Sequence, residues 1–242
     1  MHADHSIKAL IFDVFGTLVD WRSSIAAQAQ THLGKNFSLD WLDFADAWRD
    51  QYQPSMQKVR SGEIPFCSLD TLHLINLKRV IQDFSLKGID EQTIAELNLA
   101  WHKLGCWSDT QMGLNRIRQK FVIAPCSNGN ISLMINLARH NQIHWDAILG
   151  SEIAGNYKPN PIVYQASVKA LGLNPSEVMM VAAHSFDLKA AADQGLRTAF
   201  VARPQEYGPA GAKNHYKAET KPLTEVDYSC SDLNDLATQL GC

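Results

Sequence analysis

The sequence predicts an α/β protein: a parallel-sheet core with helices on both faces, carrying an inserted all-helical cap. Three observations lead there. Short, nearly continuous apolar runs recur at 7–15, 121–124, 147–149, 178–182 and 198–201, as expected of strands buried on both faces. Helical patterns at 131–138, 161–171 and 187–193 alternate with the later runs, which is the rhythm of βαβ units. From about residue 22 to 103 that rhythm stops, and amphipathic helical patterns follow one another without a buried strand.

The first run, Ile7 to Phe15, ends at Gly16, a residue that lets the backbone turn sharply. Helical patterns near 23–33, 40–60, 68–84 and 91–104 come next. The loop signals Gly34-Lys35-Asn36, Ser61-Gly62-Glu63-Ile64-Pro65 and Lys87-Gly88 separate them. The block 21–104 therefore reads as a cap domain inserted into a core built from 1–20 and 105–242. Its place after the first strand sets it over the strand's C-terminal end, where open parallel sheets keep their ligand sites. The tail from Tyr228 to Leu240 reads as a short edge strand and a closing helix.

Composition narrows the classes. The chain has 242 residues, 45% hydrophobic and 19% charged, enough for a sizeable globular core. A formal net charge of -3 without a long basic run speaks against a nucleic-acid partner. No segment approaches the roughly 18 apolar residues of a membrane helix. Met1-His2-Ala3-Asp4-His5 lacks the basic and then apolar pattern of a secretory signal, so a cytoplasmic location is expected. The five cysteines, at 67, 106, 126, 230 and 242, are odd in number and lack C-x-x-C spacing, against a disulfide framework or a structural zinc site.

The chemistry gathers at strand ends. Asp13 closes the first strand; alone, an Asp just before a Gly turn would read as a turn cap. It is not alone. Ser127-Asn128-Gly129 ends the second core strand, Lys158 follows in Tyr157-Lys158-Pro159, and Asp187 follows the fourth in Ala182-Ala183-His184-Ser185-Phe186-Asp187. Ends of parallel strands converge on one edge, so these residues should meet despite their separation. A lysine beside Asp13 would keep that carboxylate ionised and nucleophilic, while Thr17, Ser127 and Asn128 could hydrogen-bond a bound carboxylate.

In this order the residues resemble the haloacid dehalogenase superfamily, from about residue 7 to the C-terminus. The resemblance implies a Rossmann-like core and a covalent intermediate on the first-strand aspartate. Most members are magnesium-dependent phosphatases with a D-x-D opening and two acids four residues apart in the last motif. Here Phe15 takes the second acid's place in the first motif, and Ala183 stands four residues before Asp187. Magnesium wants oxygen ligands, so the sequence reads as metal-free and without a cofactor.

Those departures resemble the L-2-haloacid dehalogenase (type II) branch, in which halide leaves without a proton. Asp13, Thr17, Arg49, Ser127, Asn128, Lys158, Tyr164 and Asp187 fit that branch in order, with Tyr164 six residues after Lys158. Trp48-Arg49 on a cap helix resembles the Trp-Arg pair whose arginine receives the halide; outside the pattern Arg49 would read as a solvated helix residue. One feature departs from the branch. Its serine and asparagine, five and three residues before the last acid, are here Ala182 and His184. His184 then hydrogen-bonds the nucleophile, lines the halide pocket, or serves the structure alone.

The resemblance implies hydrolysis of small 2-haloacids, such as haloacetates and L-2-halopropionates, to 2-hydroxy acids by a homodimer. Asp13, Lys158, Asp187 and Arg49 would be catalytic. Val14, Phe15, Thr17, Ser127, Asn128, Tyr164 and His184 would bind substrate, and Arg49, Trp48 and Phe186 would form the halide pocket, with Tyr52 helping to exclude water. The alternatives are a magnesium-dependent phosphatase of the same superfamily and a non-catalytic descendant that binds a small anion or a protein. The preferred halogen is left open.

Overall fold

A computed structural model describes residues 7–208 and 217–242, so the reading of Met1–His5 lies outside the described residues. In chain order the described strands are β1 (Ala9–Phe12), β2 (Val19–Asp20), β3 (Gly105–Cys106), β4 (Val122–Ser127), β5 (Leu149–Gly150), β6 (Val178–Ala182), β7 (Arg197–Val201) and β8 (Tyr228–Cys230). Six of them make one sheet in the order β5-β4-β1-β6-β7-β8, parallel throughout, with β1 at its centre. All four residues of β1 are fully buried, Leu10 and Phe12 in the apolar cluster on one face and Ala9 and Ile11 in that on the other. The alternation of a two-residue period explains why the run is apolar throughout.

Register decides what meets at the edge. Phe12 pairs with Pro125 of β4 and with Val181 of β6, and the Asp13 N–H donates to Val181 O at 2.9 Å. The three central strands therefore end within two residues of one another, and the residues just beyond them emerge at one edge of the sheet.

The block between β2 and β3 is all helical: α1 (Trp21–Leu33), α2 (Trp41–Asp50), α3 (Tyr52–Arg60), α4 (Leu69–Asp83), α5 (Glu91–Asn98) and a closing 3-10 turn, Leu99–Lys103. Asp20, Asp40, Ser68 and Asp90 cap α1, α2, α4 and α5 by accepting first-turn N–H bonds, as short polar side chains do at helix starts. A buried ion pair, Arg22 to Asp46 with both bonds at 2.7 Å, ties α1 to α2. The single helix expected over 40–60 is two helices. Pro54 has no N–H for a bond back to Asp50 and its ring would strike that carbonyl, so it is tolerated only in the first turn of a new helix.

The core helices are α6 (Thr110–Arg118), α7 (Ile131–His140), α8 (Ser151–Ala154), α9 (Pro161–Leu171), α10 (Ser185–Ala192) and α11 (Leu233–Gln239). The helix expected over 187–193 begins two residues earlier, which sets Asp187 in the first turn of α10. The sequence reading missed α6, a polar helix whose Gly113 abuts Leu233 of α11 so closely that a Cβ would lie 2.4 Å from the leucine's. It also missed β2 and β3, which pair antiparallel (Val19 with Cys106, Asp20 with Gly105) where the chain leaves and re-enters the core. Two-residue strands leave no periodic signal. Among the described residues no helix is long and apolar enough to cross a membrane.

Candidate active site

Asp13 sits one residue beyond β1, buried, with both carboxylate oxygens engaged. Lys158 Nζ lies 2.9 Å from Oδ1. Oδ2 accepts from the Thr17 hydroxyl at 2.7 Å and lies 3.2 Å from His184 Nδ1. The same Lys158 ammonium bonds Asp187, whose other oxygen accepts from the Tyr164 hydroxyl. Asn128 orders the lysine's loop: its Oδ1 accepts from the Lys158 N–H and from the Ser151 hydroxyl, both at 2.8 Å.

Electrostatics follow from this packing. Burial alone would raise the Asp13 pKa, but the Lys158 and His184 charges and their hydrogen bonds outweigh it and hold the carboxyl well below the usual carboxylate range. For Lys158 burial acts downward, yet two facing carboxylates carry its pKa above the ordinary lysine value. Burial, with the Asp13 charge adding to it, lifts Asp187 above the usual range against the pull of Lys158. His184 is pushed well above the ordinary histidine value: burial opposes its charge, and Glu206 and Asp13 more than compensate. Buried charges persist only when paired in this way.

Glu206 is the charged residue that sequence reasoning missed, along with the cavity residues Gln53 and Tyr207. It is 2% exposed, and His184 Nε2 lies 3.1 and 3.0 Å from its two oxygens, while Trp21 Nε1 donates to it at 3.3 Å. Its segment is pinned by Arg203, which donates to Thr17 O at 2.7 Å and pairs with Asp109 through two 2.8 Å bonds. The carboxylate presses on Gly16, where φ is +86° and a Cβ would lie 2.0 Å from Oε1. Only glycine satisfies both constraints at that turn. One signal was available: Glu206 follows β7 at the same edge of the sheet as the other site residues.

A cavity of about 240 Å³ opens above Asp13. Asn128, Lys158 and Asp187 join Asp13 at its base; Phe15, His184, Phe186 and Tyr207 form the walls; Arg49, Tyr52 and Gln53 reach in from α2 and α3. The Arg49 guanidinium stacks 4.0 Å over the Tyr52 ring and 5.3 Å from the Trp21 ring. Its Nη1 is buried without a hydrogen-bond partner among the described residues. Phe186 is 53% exposed and tilts against His184 at the wall.

Five of the expected site residues do not line this cavity. Trp48 is buried in the core of the helical block, against Phe44 and Trp101, with its Nε1 bonded to His73 O at 3.0 Å. Successive helix residues point about 100° apart, so Arg49 faces the cavity while Trp48 faces away. Tyr164 is fully buried behind Asp187 and positions that carboxylate. Ser127 is also fully buried, its Oγ accepting the Gly129 N–H at 3.0 Å. Thr17 is spent on Asp13 and on the Ala183 N–H, which it accepts at 2.9 Å. The Val14 side chain packs into the core, so only its backbone is left to serve a ligand. Phe15 does line the cavity, edge-on to Tyr52 and Trp101.

The residues present do not suit a magnesium ion. Phe15 and Ala183 supply no carboxylate where the phosphatase pattern has acids, and the Lys158 ammonium already bridges Asp13 and Asp187. Among the described residues no group of three or more His, Cys, Asp or Glu is placed to hold a metal.

Comparison with known proteins agrees on one family. The haloacid dehalogenase-like hydrolase family model matches residues 7–195. The chain is 30% identical over 213 residues to (S)-2-haloacid dehalogenase 1 of Pseudomonas sp. (strain CBS-3), covering 83% of this chain and 88% of that protein. To (S)-2-haloacid dehalogenase 4A of Burkholderia cepacia it is 26% identical, over 86% of this chain and 90% of the relative. Among solved structures, a defluorinating L-2-haloacid dehalogenase superposes with TM-score 0.93 and 42% identity, over 98% of this chain and 96% of that one. The L-2-haloacid dehalogenase of Xanthobacter autotrophicus with chloropropionic acid covalently bound, 23% identical with TM-score 0.82 over 97% and 98%, shares the fold.

Proposed function

This chain belongs to the haloacid dehalogenase-like hydrolase family, and from that premise we propose how it works as a hydrolase of carbon–halide bonds. It converts small 2-haloacids to 2-hydroxy acids, and it does so without a metal ion. One observation carries the reading: a carboxylate held ionised by Lys158 and an arginine with an unpartnered buried nitrogen line the same cavity. The first is a nucleophile and the second an anion receptor.

The substrate carboxylate is received by backbone N–H groups of Val14, Phe15 and Asn128, beside the nucleophile. Asp13 attacks the halogen-bearing carbon from the side opposite the halide and forms an ester. Arg49 takes the departing anion, whose charge grows only as the bond breaks, so its contribution is largest in the transition state. Water then attacks the ester carbonyl, with Asp187 as its base and Lys158 orienting the pair. Phe15, Tyr52 and Phe186 exclude bulk water that would solvate the nucleophile. Residues 21–104 act as the cap that brings Arg49 over the core. The five free thiols suit a reducing cytoplasm, and the family resemblance adds a homodimer.

The test is halide release from chloroacetate and L-2-chloropropionate in EDTA, with Asp13→Asn alongside. Release by the wild type that vanishes in the variant supports the reading. Silence on both substrates, with magnesium-dependent phosphate release from a phosphate ester, sinks it. Fluoroacetate belongs in the panel because the 42%-identical structural relative is a defluorinating enzyme.

A further inference from the structure

Resting on that reading, we propose that His184 is the acid of the second half-reaction, donating from Nδ1 to the hydroxyl oxygen that leaves when water cleaves the Asp13 ester, with Glu206 as its positioning residue. The two half-reactions differ in what they expel. Halide departs as a stable anion and needs no proton. The ester instead expels the alkoxide of a 2-hydroxy acid, which leaves readily only when protonated, and a placed acid contributes roughly 10²–10⁴-fold to such a step.

The site offers few donors. Phe15 stands where the superfamily's phosphatases keep their general acid. Thr17 reaches Asp13 Oδ2, but a hydroxyl is a poor acid and this one already accepts the Ala183 N–H. Lys158 is shared between Oδ1 and Asp187, which hold its proton tightly. His184 remains: Nδ1 lies 3.2 Å from Oδ2, and Nε2 faces both oxygens of Glu206. Acceptors on both sides require a proton on each ring nitrogen. His184 is also the one cation within salt-bridge distance of the buried Glu206 among the described residues, so the pair keeps the imidazolium charged. Once Asp13 is an ester at Oδ2, His184 loses one of its two anions, and its proton is released more easily when it is needed.

The balance closes. A lone pair of the water oxygen forms a bond to Asp13 Cγ while one water proton passes to Asp187. The bond from Cγ to the ester oxygen breaks, its electron pair leaves with that oxygen, and the His184 proton joins it to give the 2-hydroxy acid. The second water proton remains on the new Asp13 carboxyl and returns to His184. Asp187 loses its proton to solvent, so one proton and one halide are released per turnover.

Rapid-quench kinetics with L-2-chloropropionate test the proposal, following chloride and the intact protein mass in the full-length wild type, His184→Asn and Glu206→Gln. Both variants should release about one chloride per site in a burst, then turn over on the order of 10²-fold more slowly than that burst while the ester adduct accumulates. Slow chloride release without adduct in folded variants would overturn the proposal, because a merely structural role impairs both steps together. Near wild-type turnover in either variant would overturn it as well. Glu206→Gln keeps the shape of the side chain, so it serves if His184→Asn does not fold. A wild type that releases no chloride would instead remove the dehalogenase reading on which the proposal rests.

Discussion

Lys158 Nζ stands 2.9 Å from Asp13 Oδ1 and simultaneously bonds Asp187, so one ammonium bridges two buried carboxylates 174 positions apart in the chain numbering, from Asp13 to Asp187. Removing it leaves both anions without their shared cation. Lys158→Met should abolish halide release within detection and lower stability by about 3–5 kcal/mol, the usual cost of breaking a buried pair. Urea unfolding alongside the activity assay separates the two effects.

Arg49 owes its aim to Tyr52, whose ring centroid lies 4.0 Å from the guanidinium carbon. Arg49→Lys keeps the charge but loses the planar fork and the stacking. We expect kcat to fall roughly 10²–10³-fold, as when one transition-state donor is removed, with a smaller change in KM. Equal loss in Arg49→Met and Arg49→Lys would show that geometry, rather than charge, does the work.

Gly16 is constrained twice, by its positive φ and by Glu206. Gly16→Ala should cost more than about 1 kcal/mol, since alanine is strained there and its Cβ collides with a buried carboxylate. Because the displaced group is the partner of His184, activity should drop further than stability predicts. Thermal melting and steady-state kinetics on the same preparation check this.

The His184–Glu206 pair makes stability depend on pH in a defined direction. The folded-state pKa of His184 is raised above its ordinary value of 6.5. Its contribution is therefore fully present below about pH 6.5 and is lost as pH rises through the higher folded value. Glu206, Asp13 and, beyond it, Lys158 face the ring. The stability advantage of wild type over His184→Asn should thus be greater at pH 6 than at pH 9. An advantage that grows with pH would contradict a charged His184.

Much of this is legible in the sequence alone. Asp13, Asn128, Lys158 and Asp187 each follow a buried run or a turn signal, and parallel topology alone requires them to converge. What escaped depends on side-chain direction. Trp48 and Arg49 are neighbours in sequence, yet the helix turns one into the block's own core and the other into the cavity. Tyr164 and Ser127 keep their order in the motif but work from behind the reacting groups. Glu206 carried no motif, since its meaning lies in His184 and Gly16, far away in sequence. The break between α2 and α3 was readable from Pro54, and the amphipathic pattern across 40–60 masked it.

The β2–β3 ribbon has a consequence for how the protein can diversify. The chain crosses from core to helical block and back through two adjacent paired segments, Val19–Asp20 and Gly105–Cys106. The covalent link between helical block and core is thus a stem four residues wide, while hydrogen bonds such as Arg60 to Lys158 O and Tyr157 to Cys67 O hold the block against the core elsewhere. A graft cut at that stem would exchange Arg49, Tyr52 and Gln53 as a set, leaving Asp13, Lys158 and Asp187 on an untouched sheet. Recombination at this point would replace the anion-receiving side of the cavity while the Asp13–Lys158–Asp187 cluster is inherited whole.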